Sequence, residues 1–597
     1  MKTIKIRSIL IGLLLAALAY SFWYSPSWLK LCYGLALFLF GMQCIEEGLH
    51  NTAGGTLEKL MAKSTASSGK GLLFGIGATF ILQSSTLVSL LTIAFLSTGL
   101  ITLAGGIAII LGTNLGATSG IWLLALAGQS ISLSPIAIPV VVFGILASFF
   151  NNKTKAVGRV LVGIALIFIG IDAIKEGFQA FGGTMDFASF RSGGITEIAI
   201  FCGIGLLLTI VLQSSHATLI LTLAALAGGQ ISLAQGFAIA IGSNVGSSAS
   251  TAFVGMLGSN RSGQRLALAH LVFNTVTAVL SLILWIPLTK AVTGLAGLTG
   301  MSQLLQLALF HTLFNLLGLA TFWKLQDRLT DRLISWLPEK QEAELLAVSD
   351  AVVTPRHLHS NMLRSGDTAL RALTQEVRHL NALGLEVICH VLFIPAHELY
   401  SGSADDGKKL PPPTLPLELD AQKLYEQQIK PLYSQILDFT SKIDIDGEMQ
   451  QQQLAAVHTA ALNMIDIIKE SKHLQKNMQR YLQEPESPVY QDYMRLRRHL
   501  FRSLQLFRKM SELKGCSEEW KEQSALLTKH IDSLETFRAR IMEKLRNNEI
   551  SGWETSSLMN DTNYAGRIGW GIQEILQTMC LNPAEEKNTE EEAAKAA

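Results

Sequence analysis

Two short polar runs inside apolar sequence carry the residue types that could bind a ligand. Gln83-Ser84-Ser85 interrupts ILQSSTLVSLL (81–91), and Gln213-Ser214-Ser215 interrupts VLQSSHATLIL (211–221), 130 positions later. Unpaired polar groups are costly in bilayer hydrocarbon, so such a run needs a reason. A helix broken at each run would expose backbone N–H donors and a positive dipole end at the start of its second half, near Ser84 to Thr86 and Ser214 to His216. With the serine hydroxyls and glutamine amides, that chemistry suits a multi-oxygen anion held without a buried arginine. Cations entering with the anion would have to balance most of its charge. A second polar pair recurs at the same offset, GTNLGATSG (112–120) and GSNVGSSAS (242–250). Glycines there permit unwinding. Thr113, Asn114, Thr118, Ser243, Asn244, Ser248 and freed carbonyls would offer the oxygen ligands that a dehydrated Na⁺ takes. The ordinary alternative is close helix packing through small residues, and Thr79 and Thr209 could equally bond back to their own helices.

The elements that position these runs are membrane helices. Up to Trp323 the chain carries 22 of its 95 Asp, Glu, Lys and Arg residues, and Gly71 to Phe150 contains none, nor any His. The first part therefore reads as a polytopic membrane domain and the remainder as a soluble one. It is also a duplication. Gly75, Thr79 and the QSS run recur 130 positions later, as does the Gly112 block, and GLALFLFGMQCIEEG (34–48) recurs as GIALIFIGIDAIKEG (163–177), 129 positions later. If each QSS segment is a re-entrant hairpin, each repeat crosses the membrane three times. The three are the GLALFLFG-type helix, a helix broken at GTNLG, and a closing helix such as Pro135 to Phe150. An odd count inverts the second repeat and brings the two tips toward each other near the midplane. A first span and a last one, roughly Gln303 to Trp323, make eight crossings with both termini on one side. That side collects Lys2, Lys5, Arg7, Lys59, Lys63, Lys70, Lys153, Lys155, Arg159, Arg261, Arg265, Lys324 and Arg328, which makes it cytoplasmic. Spanning QSS segments would instead put NNKTK (151–155) outside. The N-terminal apolar run, whose Ala17-Leu18-Ala19 imitates a cleavage site, is read as an uncleaved first span.

The expected class is thus all-α: two inverted repeats with re-entrant hairpins, then a cytosolic helical bundle. Repeat one covers about 28–150 and repeat two about 156–290, with extra spans at about 7–24 and 303–323 in a domain of 1–325. A connector (326–350), a bundle (351–585) and a disordered acidic tail (586–597) follow. Near-neutral overall charge, formally +1, gives no basic surface for nucleic acid. Six scattered cysteines without a CxxC pair fit free thiols rather than a disulfide or zinc framework. HLVFN (270–274) and HTLFN (311–315) place His and Asn on one helix face, where interhelical hydrogen bonding is the simplest use.

A duplicated QSS motif followed by G-[TS]-N-x-G-[TSA]-[TS] resembles the sodium-dependent phosphate cotransporter family, the Na⁺/Pi type II class and its bacterial relatives, over about residues 28 to 325. Bacterial members often continue into a helical domain similar to PhoU. The resemblance implies phosphate as the anion, Na⁺ as the coupling ion with no other cofactor, and alternating access of elevator type in the inner membrane. It places Gln83, Ser84, Ser85, Gln213, Ser214 and Ser215 on phosphate, and Thr113, Asn114, Ser243 and Asn244 at or near ion sites. The family commonly has a third hydroxyl after QSS; here that position is Thr86 in repeat one and His216 in repeat two. Sulfate or dicarboxylate transport, and a phosphate sensor with vestigial transport, are the alternative functions.

Beyond about Pro338 the chain turns charged with a helical period. Helices are expected at Asn361 to Val391, Leu417 to Ser441, Glu448 to Leu482, Pro488 to Leu513, Ser517 to Asn547 and Tyr564 to Cys580, with SGSADDGKKLPPPTLP (401–416) as a loop. Apolar residues such as Val457, Ala461, Ile465 and Ile468 would line an antiparallel bundle. Asp466 and Glu470, one turn apart, read as a solvated face or a weak ion site. No catalytic constellation is visible, which argues against an enzyme. By elimination and likeness the bundle would regulate, through a cytosolic partner or self-association.

Overall fold

The computed structural model describes residues 2–53, 60–61, 64, 67–127, 134–181, 194–338, 353–400, 421–445, 447–513 and 517–580, and these contain helices but no strand. The expected loop at 401–416 and the acidic tail lie outside them. The chain divides into two compact units, Met1–Lys340 and Gln341–Ala597.

The first unit begins with α1 (Lys2–Tyr24) and α2 (Pro26–Ala53). A helix–break–helix pair follows, α3 (Ser68–Leu82) and α4 (Ser85–Ser97), then α5 (Leu103–Ala127) and α6 (Ser134–Ala147). The same order recurs as α7 (Asn152–Phe181), the pair α8 (Ile195–Leu212) and α9 (Ser215–Ala227), α10 (Leu233–Leu257) and α11 (Arg261–Ile283). Helices α12 (Trp285–Thr299), α13 (Gln303–Trp323) and α14 (Gln326–Trp336) complete the unit. Among the described residues seven helices are long and apolar enough to cross a membrane: α2, α5, α7, α8, α10, α11 and α13.

The two repeats meet along α2 and α7. A Cβ on Gly34 would lie 2.7 Å from the Gly170 carbonyl oxygen, one on Gly41 2.6 Å from that of Gly163, and one on Gly48 2.7 Å from that of Ala156. Contact positions rise along one helix as they fall along the other, so the helices run antiparallel. Glycine every seven residues lets the backbones touch. An ion pair closes each end of the seam, Lys30–Glu176 at 2.6 Å and Arg159–Glu47 at 2.7 Å.

Several expectations need correction. The predicted break at GTNLG and GSNVG is absent, because α5 and α10 run through both blocks uninterrupted. Their glycines serve close approach instead. A Cβ on Gly112 would lie 2.2 Å from the Leu72 carbonyl oxygen, and one on Gly242 1.8 Å from that of Cys202. The segment expected as the closing crossing of repeat one, 135–150, forms the 14-residue α6. At 1.5 Å per residue it is about 21 Å long, short of a ~30 Å hydrocarbon core. Its counterpart α11 has 23 residues. The start of the supposed connector is the amphipathic α14, whose buried Leu329 and Leu333 join the core formed with Phe273 and Phe322. Arg265 Nε of α11 also donates to the Leu337 carbonyl at 2.9 Å.

The second unit is a bundle of α15 (Gly366–Val391), α16 (Lys430–Thr440), α17 (Glu448–Leu482), α18 (Tyr490–Glu512), α19 (Glu518–Arg546) and α20 (Gly552–Cys580). Helix α20 starts twelve residues before the expected Tyr564, since GWETSSLMNDTN lacks a helix breaker after Gly552. Val457, Ala461, Ile465 and Ile468 are buried on α17, as their spacing requires. Fully buried Arg497 donates to the Leu392 and Phe393 carbonyls at 2.7 and 2.9 Å, satisfying the end of α15. Asp466 and Glu470 are used in ion pairs with Lys469 and Arg567. Cys580 is disulfide-bonded, contrary to the expectation of free thiols throughout, whereas Cys32, Cys44, Cys202 and Cys389 are free.

Candidate functional site

Both QSS runs form the same local structure. Gln83 ends α3 with φ 52° and ψ 24°, and Gln213 ends α8 with φ 54° and ψ 22°. Among the described non-glycine residues only Phe393 and Asn548 share this left-handed backbone. Each glutamine side chain secures its own turn. Gln83 Nε2 donates to the Phe80 carbonyl at 2.6 Å and to Ser119 Oγ at 3.3 Å; Gln213 Nε2 donates to the Ile210 carbonyl and to Ser250 Oγ at 3.4 Å. Extended Ser84 and Ser214 then cap the next helix, accepting from Leu87 N at 3.2 Å and Ala217 N at 3.1 Å. The capping residue satisfies one first-turn donor. The amides of Ser85 and Thr86, and of Ser215 and His216, are left without an intrahelical acceptor.

At the second break the chain folds back on itself. Thr209 Oγ1 of α8 donates to Thr218 Oγ1 of α9 at 2.8 Å. In one continuous helix those residues would be separated by about 13 Å along the axis. The open question about the two threonines is thereby settled differently in each repeat. The repeat-one counterpart of Thr218 is Val88, and buried Thr79 Oγ1 has no hydrogen-bond partner.

The two breaks converge on α5. His216 is buried, its Nε2 lies 3.3 Å from the Ala117 carbonyl oxygen, and its ring lies over Gly120. A Cβ at Gly120 would stand 2.1 Å from His216 Nε2 and 2.9 Å from Gln83 Oε1. One residue thus borders both tips, Gln83 of the first and His216 of the second. By the 130-residue offset, the counterpart of Gly120 is Ser250 and the counterpart of His216 is Thr86. The larger residue of the pair His216 and Thr86 thus accompanies the smaller of Gly120 and Ser250.

The residues expected near an ion behave unequally. Thr113, Thr118, Ser243 and Ser248 donate their hydroxyl protons to the carbonyls of Ile110, Leu115, Ala240 and Val245, at 2.8 to 2.9 Å. Each oxygen keeps lone pairs that a cation could use. Asn114 Nδ2 donates to the Ile110 carbonyl at 2.9 Å. Asn244 is held on both sides: its Nδ2 donates to Asn315 Oδ1 at 2.9 Å, and its Oδ1 pairs with His311 Nε2 at 3.0 Å. The HTLFN motif on α13 therefore makes the expected interhelical hydrogen bonds. The HLVFN motif does so only locally, Asn274 Nδ2 reaching the His270 carbonyl at 3.2 Å. Sequence reading missed the link from Asn244 to α13, because nothing in the repeat indicates which outside helix faces it. No group of three or more His, Cys, Asp or Glu is placed to hold a metal ion among the described residues.

Comparison with known proteins bears on this arrangement. Residues 37–176 match the family model described as Na⁺/Pi-cotransporter. "Putative inorganic phosphate export protein YjbB" of Salmonella typhimurium is 27% identical over 362 residues, 60% of this chain and 62% of that protein. The protein of the same name from Escherichia coli (strain K12) is 26% identical over the same length, with the same shares. "Uncharacterized protein YqeW" of Bacillus subtilis is 28% identical over 301 residues, 49% of this chain and 92% of that protein. The alignments thus span less than two thirds of the YjbB proteins. No solved structure matches.

Proposed function

From its kinship with the Na⁺/Pi-cotransporter family, carried by residues 37–176, we propose that this chain moves inorganic phosphate across the cytoplasmic membrane coupled to Na⁺. The observation that carries the reading is the meeting of the two tips at Gly120. Beside Gln83 Oε1, an acceptor that only a protonated phosphate oxygen could use, free first-turn amides and serine hydroxyls supply donors around a place with no charged side chain in either polar stretch. Such donors stabilise a tetrahedral oxyanion by directed hydrogen bonds and leave its charge to be balanced by co-transported cations. The polar faces of α5 and α10, Thr113, Asn114, Thr118, Ser243, Asn244 and Ser248, are the proposed ion ligands.

The antiparallel α2–α7 seam supports an inverted repeat, since it pairs equivalent helices head to tail. Both QSS pairs then act as re-entrant hairpins from opposite sides, and alternating access of elevator type carries the tips across. Coupling does not impose a direction, so uptake and the export named for YjbB are one mechanism under different gradients. The bundle would act as regulator.

Radiolabelled phosphate flux into proteoliposomes, with and without an inward Na⁺ gradient, tests the proposal. Accumulation should need Na⁺ and resist excess sulfate or succinate. Gln83→Ala and Gln213→Ala should each reduce flux to background in protein that still inserts. Full activity in both would move the anion away from the tips.

A further inference from the structure

Outside the transport site, one cavity combines oxyanion chemistry with an apolar wall. It lies between α18 and α19 of the bundle, has a volume of about 350 Å³, and is lined by Arg495, Leu496, His499, Ser533, Leu534, Thr536, Phe537 and Arg540. No carboxylate is among the lining residues. Asp492, on the same helix as Arg495, is shared between Arg495 at 3.3 Å and Lys544. One carboxylate between two cations leaves that group of three net positive, and exposed Arg540 adds a second guanidinium to the lining.

His499 supplies an independent sign of a missing partner. Its ring stacks on His530 with centroids 4.0 Å apart and planes 13° from parallel. His530 Nε2 donates to the His499 carbonyl at 2.9 Å, while His499 Nε2 is buried with no hydrogen-bond partner. Buried polar atoms are nearly always paired, so an orphan beside a cavity points to something that the cavity takes up. Burial, with the neighbouring His530, pushes the His499 imidazole down to about 3. It is therefore neutral, a hydrogen-bonding group, and the charge for an anion comes from the two guanidiniums. Such planar forks match phosphate oxygens. Leu496, Leu534 and Phe537 line the same space, which is far larger than a bare phosphate and within the range of small-ligand pockets.

We propose that this pocket binds a phosphorylated small molecule with an aromatic portion, of which a nucleotide is the simplest case. Arg495 and Arg540 would hold the phosphates, and Phe537 with the two leucines the ring. The inference does not depend on the transport reading, because it concerns binding to the bundle alone.

Isothermal titration of the full chain in Na⁺-free detergent solution with Mg²⁺-free ADP, adenosine and inorganic phosphate tests it, and only binding that Arg540→Ala weakens is assigned to the pocket. ADP should bind with a dissociation constant of about 10–100 µM, a modest affinity for a pocket of this size. Adenosine should fail to bind, and inorganic phosphate should bind at least ~10-fold more weakly. Arg540→Ala, at an exposed position, should weaken ADP at least ~10-fold with helix content unchanged, and Arg540→Lys should restore only part of this. No ADP binding below about 1 mM would overturn the proposal. So would an affinity unchanged by Arg540→Ala. Equal affinity for phosphate and ADP would reduce the pocket to a bare oxyanion site and overturn the assigned ligand class.

Discussion

The left-handed backbone at Gln83 and Gln213 places strain where a ligand would bind. A residue with a Cβ rarely adopts that conformation, and one held there costs about 1–3 kcal/mol that its surroundings must offset. The amide bonds to Phe80 and Ile210 are part of that offset. Sequence made the polar runs visible through their repetition but gave no hint of this geometry, because glutamine is not the residue expected at a positive φ. The Gly120–His216 contact was equally hidden. It joins residues 96 positions apart, and no offset in the repeat predicts it. It yields a reciprocal test. Gly120→Ser should crowd the imidazole and lower phosphate flux at least ~10-fold, since small misplacements at a binding site are expensive. Adding His216→Thr recreates the Thr86 and Ser250 residue types found at the other tip, and flux should recover most of that loss. A double variant no better than Gly120→Ser would mean that the ring is not what the glycine accommodates.

At the scale of elements, composition and periodicity were informative and glycine was ambiguous. Helix α13 falls on the expected Gln303 to Trp323, and α17 on Glu448 to Leu482, because long periodic runs leave few alternatives. From sequence, Gly112 and Gly116 suggest places to unwind. They are places to pack, because α3 presses its backbone against those turns, as α8 does against Gly242 and Gly246. Sequence alone cannot separate the two uses, both of which need a missing side chain. The seam offers a check. Gly41→Val inserts three carbons where a single Cβ would already lie 2.6 Å from a carbonyl oxygen. Thermal unfolding in detergent should show a loss of at least about 1–3 kcal/mol, as overpacking does elsewhere. Gly77→Val, whose Cβ meets nothing within 4 Å, should be nearly neutral. In the bundle, burial pushes the Asp561 carboxyl up to about 6, despite hydrogen bonds from Tyr493 at 2.6 Å and Asn477 at 3.1 Å. Between pH ~4 and 6 the native state then holds a proton that the unfolded chain has lost, so this group's stability falls as pH rises through that window. Asp561→Asn can accept both hydrogen bonds and carries no charge. Its advantage over wild type, read by hydrogen exchange across α17 and α20, should grow from near zero at pH 4 to roughly 2–3 kcal/mol at pH 7. A difference that does not change with pH would mean that Asp561 is not the titrating group.

For the whole molecule, the charge distribution announced two chemistries, and the division at Lys340 falls within the segment expected to connect them. The boundary expected at residue 325 precedes this division because α14 is short and amphipathic, a pattern that a linker and a docked helix share. The α2–α7 seam has one more implication. At the repeat offset of 129 positions Gly34 corresponds to Gly163 and Gly41 to Gly170, so exchanging the two helices turns the Gly34–Gly170 contact into the Gly41–Gly163 contact. A contact that returns the same pairs when its partners are exchanged is what two copies of a single chain make about a twofold axis. The seam thus has the form of an interface between two copies of one repeat. On that view the peptide joining the repeats holds two already complementary partners together. Halves 1–150 and 151–597, produced as separate chains in one cell, should co-purify and recover Na⁺-dependent phosphate flux. Gly41→Val in the first half should weaken their association.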